Sequence, residues 1–199
     1  VSPATPAGQS PQSVFDGIVA SIERAVLRPE LEVTVIPAPS GLAPFAHALA
    51  ADVNPAEHSD DSDLGTGRLI VLFDPAAPEG WGGAVRVICY AQAPLEIEIG
   101  LDPFVSDVAW SWLVDALATR GAQYTAASGT ATKVLSTGYG ELAAQGSGAQ
   151  IELRASWTPL ELDLAAHAEG WAELLCMVAG YPPTAHGVTA LPRRRGARG

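Results

Sequence analysis

Two arginines set among apolar residues, Arg86 in AVRVICYAQ and Arg154 in AQIELRASW, are the side chains of this sequence best suited to hold a ligand. A guanidinium on a strand with apolar neighbours needs a carboxylate partner or a bound anion. Tyr139, in TGYGELA, could add a hydroxyl to such a site. The structural alternative is an arginine paired with an acid such as Glu152 or Glu98, and residue types alone favour that alternative.

Other patterns offer less. Gly138, Gly140 and Ala143 have dinucleotide-binding spacing, but GSG at 146–148 would end the following helix too soon to seat a pyrophosphate. HSDDSD (58–63) gathers one His and three Asp. Counted from Asp60, however, Val71 falls where a calcium loop needs its bidentate glutamate. The histidines His47, His58, His167 and His186 show no HxH or HExxH spacing, and there is no CxxC, so no metal is assigned. Asp163 lies one turn before His167 and reads as a surface pair. No serine sits in GxSxG. No catalytic residue and no cofactor are assigned.

The tryptophans are the remaining functional candidates. In DVAWSWLVDAL (107–117), Trp110 and Trp112 leave a helix on nearly opposite sides. The row Phe104, Val108, Trp112, Ala116 and its neighbour Val105, Ala109, Leu113, Leu117 make the expected sheet-facing side, which places Trp112 in the core. Trp110 is left under another helix or at an interface, and Trp81, in a turn-rich loop, could cover a groove rim.

The elements that must position these residues follow from periodicity and punctuation. A helix starts near Ser13 and closes before Pro29. LEVTVIPAP (31–39) alternates as a half-buried strand, and a short helix follows over Leu42, Phe45, Ala46 and Leu49. RLIVLFD (68–74) is apolar enough for burial on both faces, and it forms an antiparallel hairpin with AVRVICYAQ (84–92). LEIEI (95–99) fits strand and helix equally. A helix runs from Asp102-Pro103 to Arg120, then come QYTAAS (123–128) and TATKVLST (130–137), a hairpin pair. The last strand, 149–157, leads into a helix opened by a capping box at Thr158–Glu161. The fold class is therefore α+β: a largely antiparallel sheet of about five to six strands with helices packed mainly on one face. Residues 1–12 read as a disordered segment, 13–183 as one domain and 184–199 as a flexible basic tail.

Composition narrows the function classes. A 48% hydrophobic, 17% charged chain is globular. Four of its eleven basic residues, Arg193, Arg194, Arg195 and Arg198, sit in the last seven positions. The rest therefore carries about −15, which repels phosphate backbones. Nucleic acid is not an expected partner except through that arginine tail. No apolar run is long enough to span a membrane and no secretory signal opens the chain, so a cytoplasmic location is expected. Cys89 and Cys176, each inside an apolar run, read as buried free thiols.

GRLIVLFDPAAPEGWGGAVRVICY, DPFVSDVAWSWLVDAL, IELRASWTPL and GVTALP together resemble an actinobacterial family of uncharacterised proteins, domain of unknown function 3000. The likeness covers roughly residues 13 to 192, and its distinctive signatures fall on Trp110–Leu113 and Arg154–Pro159. It implies an actinobacterial, cytoplasmic setting and brings no activity, cofactor or catalytic residue. With the short helix after the first strand set aside, the order of elements is also similar to that of type III secretion chaperones and their relatives, acidic binding proteins that are usually dimeric.

The first reading is thus a non-enzymatic protein-binding module, adaptor or chaperone-like, with a protein partner and a homodimer as expected assemblies. The second is a small-molecule binder or enzyme whose site lies between the sheet and loop 54–67. Arg86, Arg154 and Tyr139 belong to the second reading, Trp81 and Trp110 to the first.

Overall fold

The structure, a computed structural model, describes residues 8–54 and 64–184. Its centre is a six-stranded sheet in the order β1-β2-β3-β4-β6-β5, antiparallel throughout. The strands are β1 (Leu31–Ile36), β2 (Phe45–Val53), β3 (Thr66–Phe73), β4 (Val85–Leu95), β5 (Tyr124–Thr137) and β6 (Ser147–Pro159). The helices are α1 (Pro11–Glu23), α2 (Ile97–Leu101), α3 (Val105–Thr119) and α4 (Ala165–Val178). The first four strands form a meander. The chain then crosses through α2 and α3 to the far edge, lays down β5, and returns as β6 between β5 and β4.

Among the described residues only α1 starts at its own side-chain cap, and α3, expected from Asp102-Pro103, starts at Val105. α1 opens with Pro11 at its first position, and the Ser10 hydroxyl accepts the Ser13 N–H, so the helix begins inside the segment expected to be disordered. α4 begins at Ala165, six residues later than its capping-box sequence suggested, because β6 continues through Pro159. Its first turn is capped from another helix: the buried Ser21 hydroxyl accepts the Leu164 N–H at 2.8 Å and donates to the Ile18 carbonyl.

The segment expected as a short helix over Leu42–Leu49 is instead β2. Its alanines favour a helix locally. The alternation of Phe45, His47, Leu49, Ala51 and Val53 against β3 decides for the strand. The stretch expected as a hairpin, 123–137, is one strand over Tyr124–Thr137, broken only by a bulge between Thr125 and Ser128, where Ala126 takes a left-handed φ of 51°.

All four helices pack on one face of the sheet. α1 docks through a ring cluster, Phe15 lying 5.5 Å from Phe45 and 6.2 Å from Phe73 between centroids. α4 lies over β3 and β4 where the cross-strand row is small (Ala51, Gly67, Ala91). A side chain at Gly67 would come within 2.6 Å of a Leu175 methyl. The core of this layer includes Leu69, Val71, Val87, Leu153, Trp157, Trp171 and Leu175, all buried. Both cysteines are free and buried, and burial pushes each thiol up to about 12, so both are inert as nucleophiles at neutral pH.

The other face of the sheet carries no helix among the described residues. β3, expected to be buried on both sides, has one face buried throughout (Gly67, Leu69, Val71, Phe73) and one that bears an exposed Arg68, a half-buried Ile70 and, at its end, a buried Leu72. No helix among the described residues is long and apolar enough to cross a membrane.

Candidate functional site

The helix-free face is banded. Strand register sets its residues in rows that cross the sheet, and each row has its own chemistry. Glu32, Asp52, Thr66, Gln92, Glu152 and Thr132 pair in one row, which holds the acids. Two residues along each strand, Thr34, Ala50, Arg68, Tyr90, Arg154 and Thr130 form the next, a basic and aromatic row. The third row runs Ile36, Ala48, Ile70, Ile88, Ser156 and Ser128 and is apolar over its first four strands. Side chains two apart on a strand share a face, so consecutive rows lie about 7 Å apart.

A concavity of about 450 Å³ opens in this face, lined by residues of all three rows: Thr66, Arg68, Ile70, Ile88, Tyr90, Gln92 and Arg154. A second, of about 430 Å³, adjoins it toward β5 and shares Ile88 and Arg154. Together they make an elongated trough on the sheet.

The polar groups of the trough are partly organised by one another. Arg154 donates through Nε to Glu152 at 2.8 Å and lies over the Tyr90 ring, 5.7 Å from its centroid. The Tyr90 hydroxyl sits between the Glu152 carboxylate, at 3.1 Å, and the Gln92 amide oxygen. Burial, and then the hydrogen bond to Glu152, raise the Tyr90 phenol, so it stays protonated as a donor. The expected Arg–Glu pair is thus present for Arg154, whose side chain is still 66% exposed. Arg68 forms no ion pair among the described residues.

Arg86 lies on the same face beyond the apolar row but is fully engaged. Its Nη1 donates to the Ala126 carbonyl and the Thr158 hydroxyl, both at 3.0 Å. Its Nη2 donates to Ser156 at 2.7 Å and to Ser128 at 3.4 Å. All four acceptors are neutral, and burial lowers its pKa. Arg86 therefore fastens β4 to β6 and to the β5 bulge. The Trp81 carbonyl accepts the Thr158 hydroxyl, which holds the β3–β4 connection at the same end of the sheet.

The other candidates lie elsewhere. Trp110 is half-buried on the helix side against Gly129 of β5, where a Cβ would come within 2.7 Å of its ring. Trp112, expected in the core, is half-buried too and lines a cleft between α3 and the end of α4 with Met177 and Glu173. The two indoles bracket the buried arc Val105, Ala109, Leu113, Ala116 and Leu117, and Phe104 and Val108, expected to face the sheet, are exposed. Tyr139 is 80% exposed after β5. The glycine pattern beside it is a 3-10 turn over Gly140–Gln145 that links β5 to β6, with no helix to seat a phosphate. The model match for Protein of unknown function (DUF3000) spans residues 11–189 of this chain.

The chain belongs to the DUF3000 family. Neither a curated protein nor a solved structure matches it. Within this DUF3000 chain the trough unites Arg154 with residues that the sequence pattern did not single out: Arg68, Ile70, Ile88, Tyr90 and Gln92. The signal was present as alternation, since Thr66, Arg68, Ile70 and Ile88, Tyr90, Gln92 keep a period of two. Among the described residues no group of three or more His, Cys, Asp or Glu could hold a metal ion. HSDDSD (58–63), most of loop 54–67, His186 and the arginine tail lie outside the described residues.

Proposed function

We propose that this chain is a non-catalytic protein-binding module, and that its helix-free sheet face receives an amphipathic helix bearing carboxylates. The observation that carries this reading is the banding: an apolar row beside a basic and aromatic row, both running across the strands. From β1 to β4 the apolar row crosses three inter-strand gaps, about 14 Å, which is the length of a helix of roughly 10 residues. Such a helix would set its apolar stripe on Ile36, Ile70 and Ile88 and its acids against Arg68 and Arg154. The acidic row beyond repels the partner's carboxylates and so fixes the register. An open trough suits a polypeptide better than a small molecule, which pockets normally enclose. The setting is cytoplasmic and actinobacterial on this reading, as the sequence resemblance implied.

The test is a photo-crosslinking residue placed at Ile88, compared with one at the exposed Val26 on the helix side, both in cells that make the protein. The expected result is a discrete adduct from position 88 alone, whose crosslinked peptide is an acidic amphipathic helix. Equal labelling from both positions would remove the basis of the reading.

A further inference from the structure

We infer that the chain also dimerises, by antiparallel pairing of its β5 edge with β5 of a second copy, on a surface distinct from the trough. β5 is the outermost strand and the longest, 14 residues, and no strand pairs with its outer side among the described residues. Half of the N–H and C=O groups of an edge strand point outward, and only another extended chain satisfies them in series. Natural edges are blunted by proline, charge, bulges or shortness. The opposite edge fits that rule: β1 has six residues, carries Glu32 and is followed by Pro37. β5 is blunted only at its start, where the bulge lies and where Arg86 uses the Ala126 carbonyl. From Gly129 to Thr137 it holds no proline and no acid. Its one charged group, Lys133, donates to the Asp102 carbonyl at 2.8 Å.

The flank of this edge is apolar. Among the described residues, eight of the eleven large apolar side chains that are exposed fall between Ile99 and Leu142, the stretch that builds α2, α3, β5 and the turn after it. α2 lies directly beside β5, since a Cβ at Gly100 would meet a Leu135 methyl at 3.2 Å. Ile99, Leu101 and Leu135 therefore form an exposed apolar margin along the strand.

Charge selects the occupant. The chain carries −11 overall, so most approaches of two copies set carboxylate against carboxylate. The edge strand itself is acid-free from Gly129 to Thr137, while its α2 flank carries exposed Glu98 and Asp102, so two copies meet along it with less of that cost. A twofold axis normal to the sheet keeps both helical layers on one side and brings the two apolar margins to the same seam. Any register other than one centred on Lys133 also keeps the lysines from facing each other.

Sedimentation velocity on the full chain over the micromolar range tests this, with amide exchange read on the same samples. The expected mass rises from one 20.5 kDa chain toward two, with exchange over residues 129–137 slowing as concentration increases. Thr132→Glu combined with Val134→Glu, both at exposed positions, sets new carboxylates face to face across the seam. It should raise the dimer dissociation constant about tenfold or more with an unchanged circular dichroism spectrum. A single-chain mass throughout the range overturns the inference. So does a dimer that survives the double substitution with its exchange protection outside β5.

Discussion

Trp157 Nε1 donates a 3.0 Å hydrogen bond to Nδ1 of His167, deep between β6 and α4. An indole can only donate, so this imidazole nitrogen must be unprotonated. The bond thus fixes a neutral histidine, and burial holds its pKa down to about 4. Asp163, expected to be the surface partner of His167, instead pairs with Arg24 at 3.3 Å.

This relationship sets a pH dependence. The unfolded chain binds a proton at His167 near pH 6.5, the folded chain only near 4. Stability is therefore complete above about pH 6.5 and falls as the pH drops toward 4, by roughly 3 kcal/mol at most. Urea denaturation at a series of pH values should show this slope, and His167→Gln should flatten it. Part of the slope should remain, because burial also lowers His47.

Glu173 joins parts of the chain that are far apart in sequence. Its carboxylate meets Arg28 at 3.0 Å and Arg120 at 2.7 Å, and it accepts the Thr184 N–H at 2.6 Å. Burial alone would raise this carboxyl, but the hydrogen bonds from Thr184 and Arg120 outweigh it and hold the group below its usual range. Its contribution is present above the ordinary carboxylate pKa and is lost as the pH falls through the depressed value. Glu173→Gln removes the shared carboxylate but leaves Arg28 paired with Glu30 and Arg120 with Glu169, so a loss of about 1–3 kcal/mol in chemical denaturation is expected. Arg24→Ala breaks a pair whose side chains are 62% and 58% exposed, and should cost no more than about 1 kcal/mol.

The two faces of the sheet can be told apart by neighbours in sequence. Leu69 is buried under the helices and Ile70 lies on the helix-free face. Leu69→Ala should cost about 2–5 kcal/mol of stability and Ile70→Ala about 1 kcal/mol. Similar losses at both positions would mean that the second face is covered as well.

Close packing of α4 gives a further test. Besides its contact with Leu175, a Cβ at Gly67 would lie 2.9 Å from the Tyr90 carbonyl oxygen, which cannot swing away. Gly67→Ala should destabilise the protein by about 1–3 kcal/mol, read as a lower melting temperature.

The fold class was legible because β1, β4 and β6 alternate clearly and the helices carry apolar stripes. β2 was not, because FAHALAADV is rich in alanine and its strand state depends on β1 and β3, which pair with it from outside the segment. Trp110 and Trp112 could be seen to diverge. Which flank met α4 required the position of that helix. At the site, Arg154 and its acid partner were readable, but Arg68 was hidden in a run that looked buried on both sides. The rows themselves join residues as far as 120 positions apart, as Glu32 and Glu152 are across Asp52, Thr66 and Gln92. Only strand order and register place such residues together.

The measurement that tests the central claim most directly is crosslinking from position 88 in the wild-type background and in Arg68→Glu/Arg154→Glu, side by side in the same cells. Both arginines are exposed, so the double variant keeps its fold, verified by an unchanged melting temperature. The wild-type adduct should vanish in the double variant, because carboxylates would then face carboxylates. An adduct of equal yield in both backgrounds would contradict it.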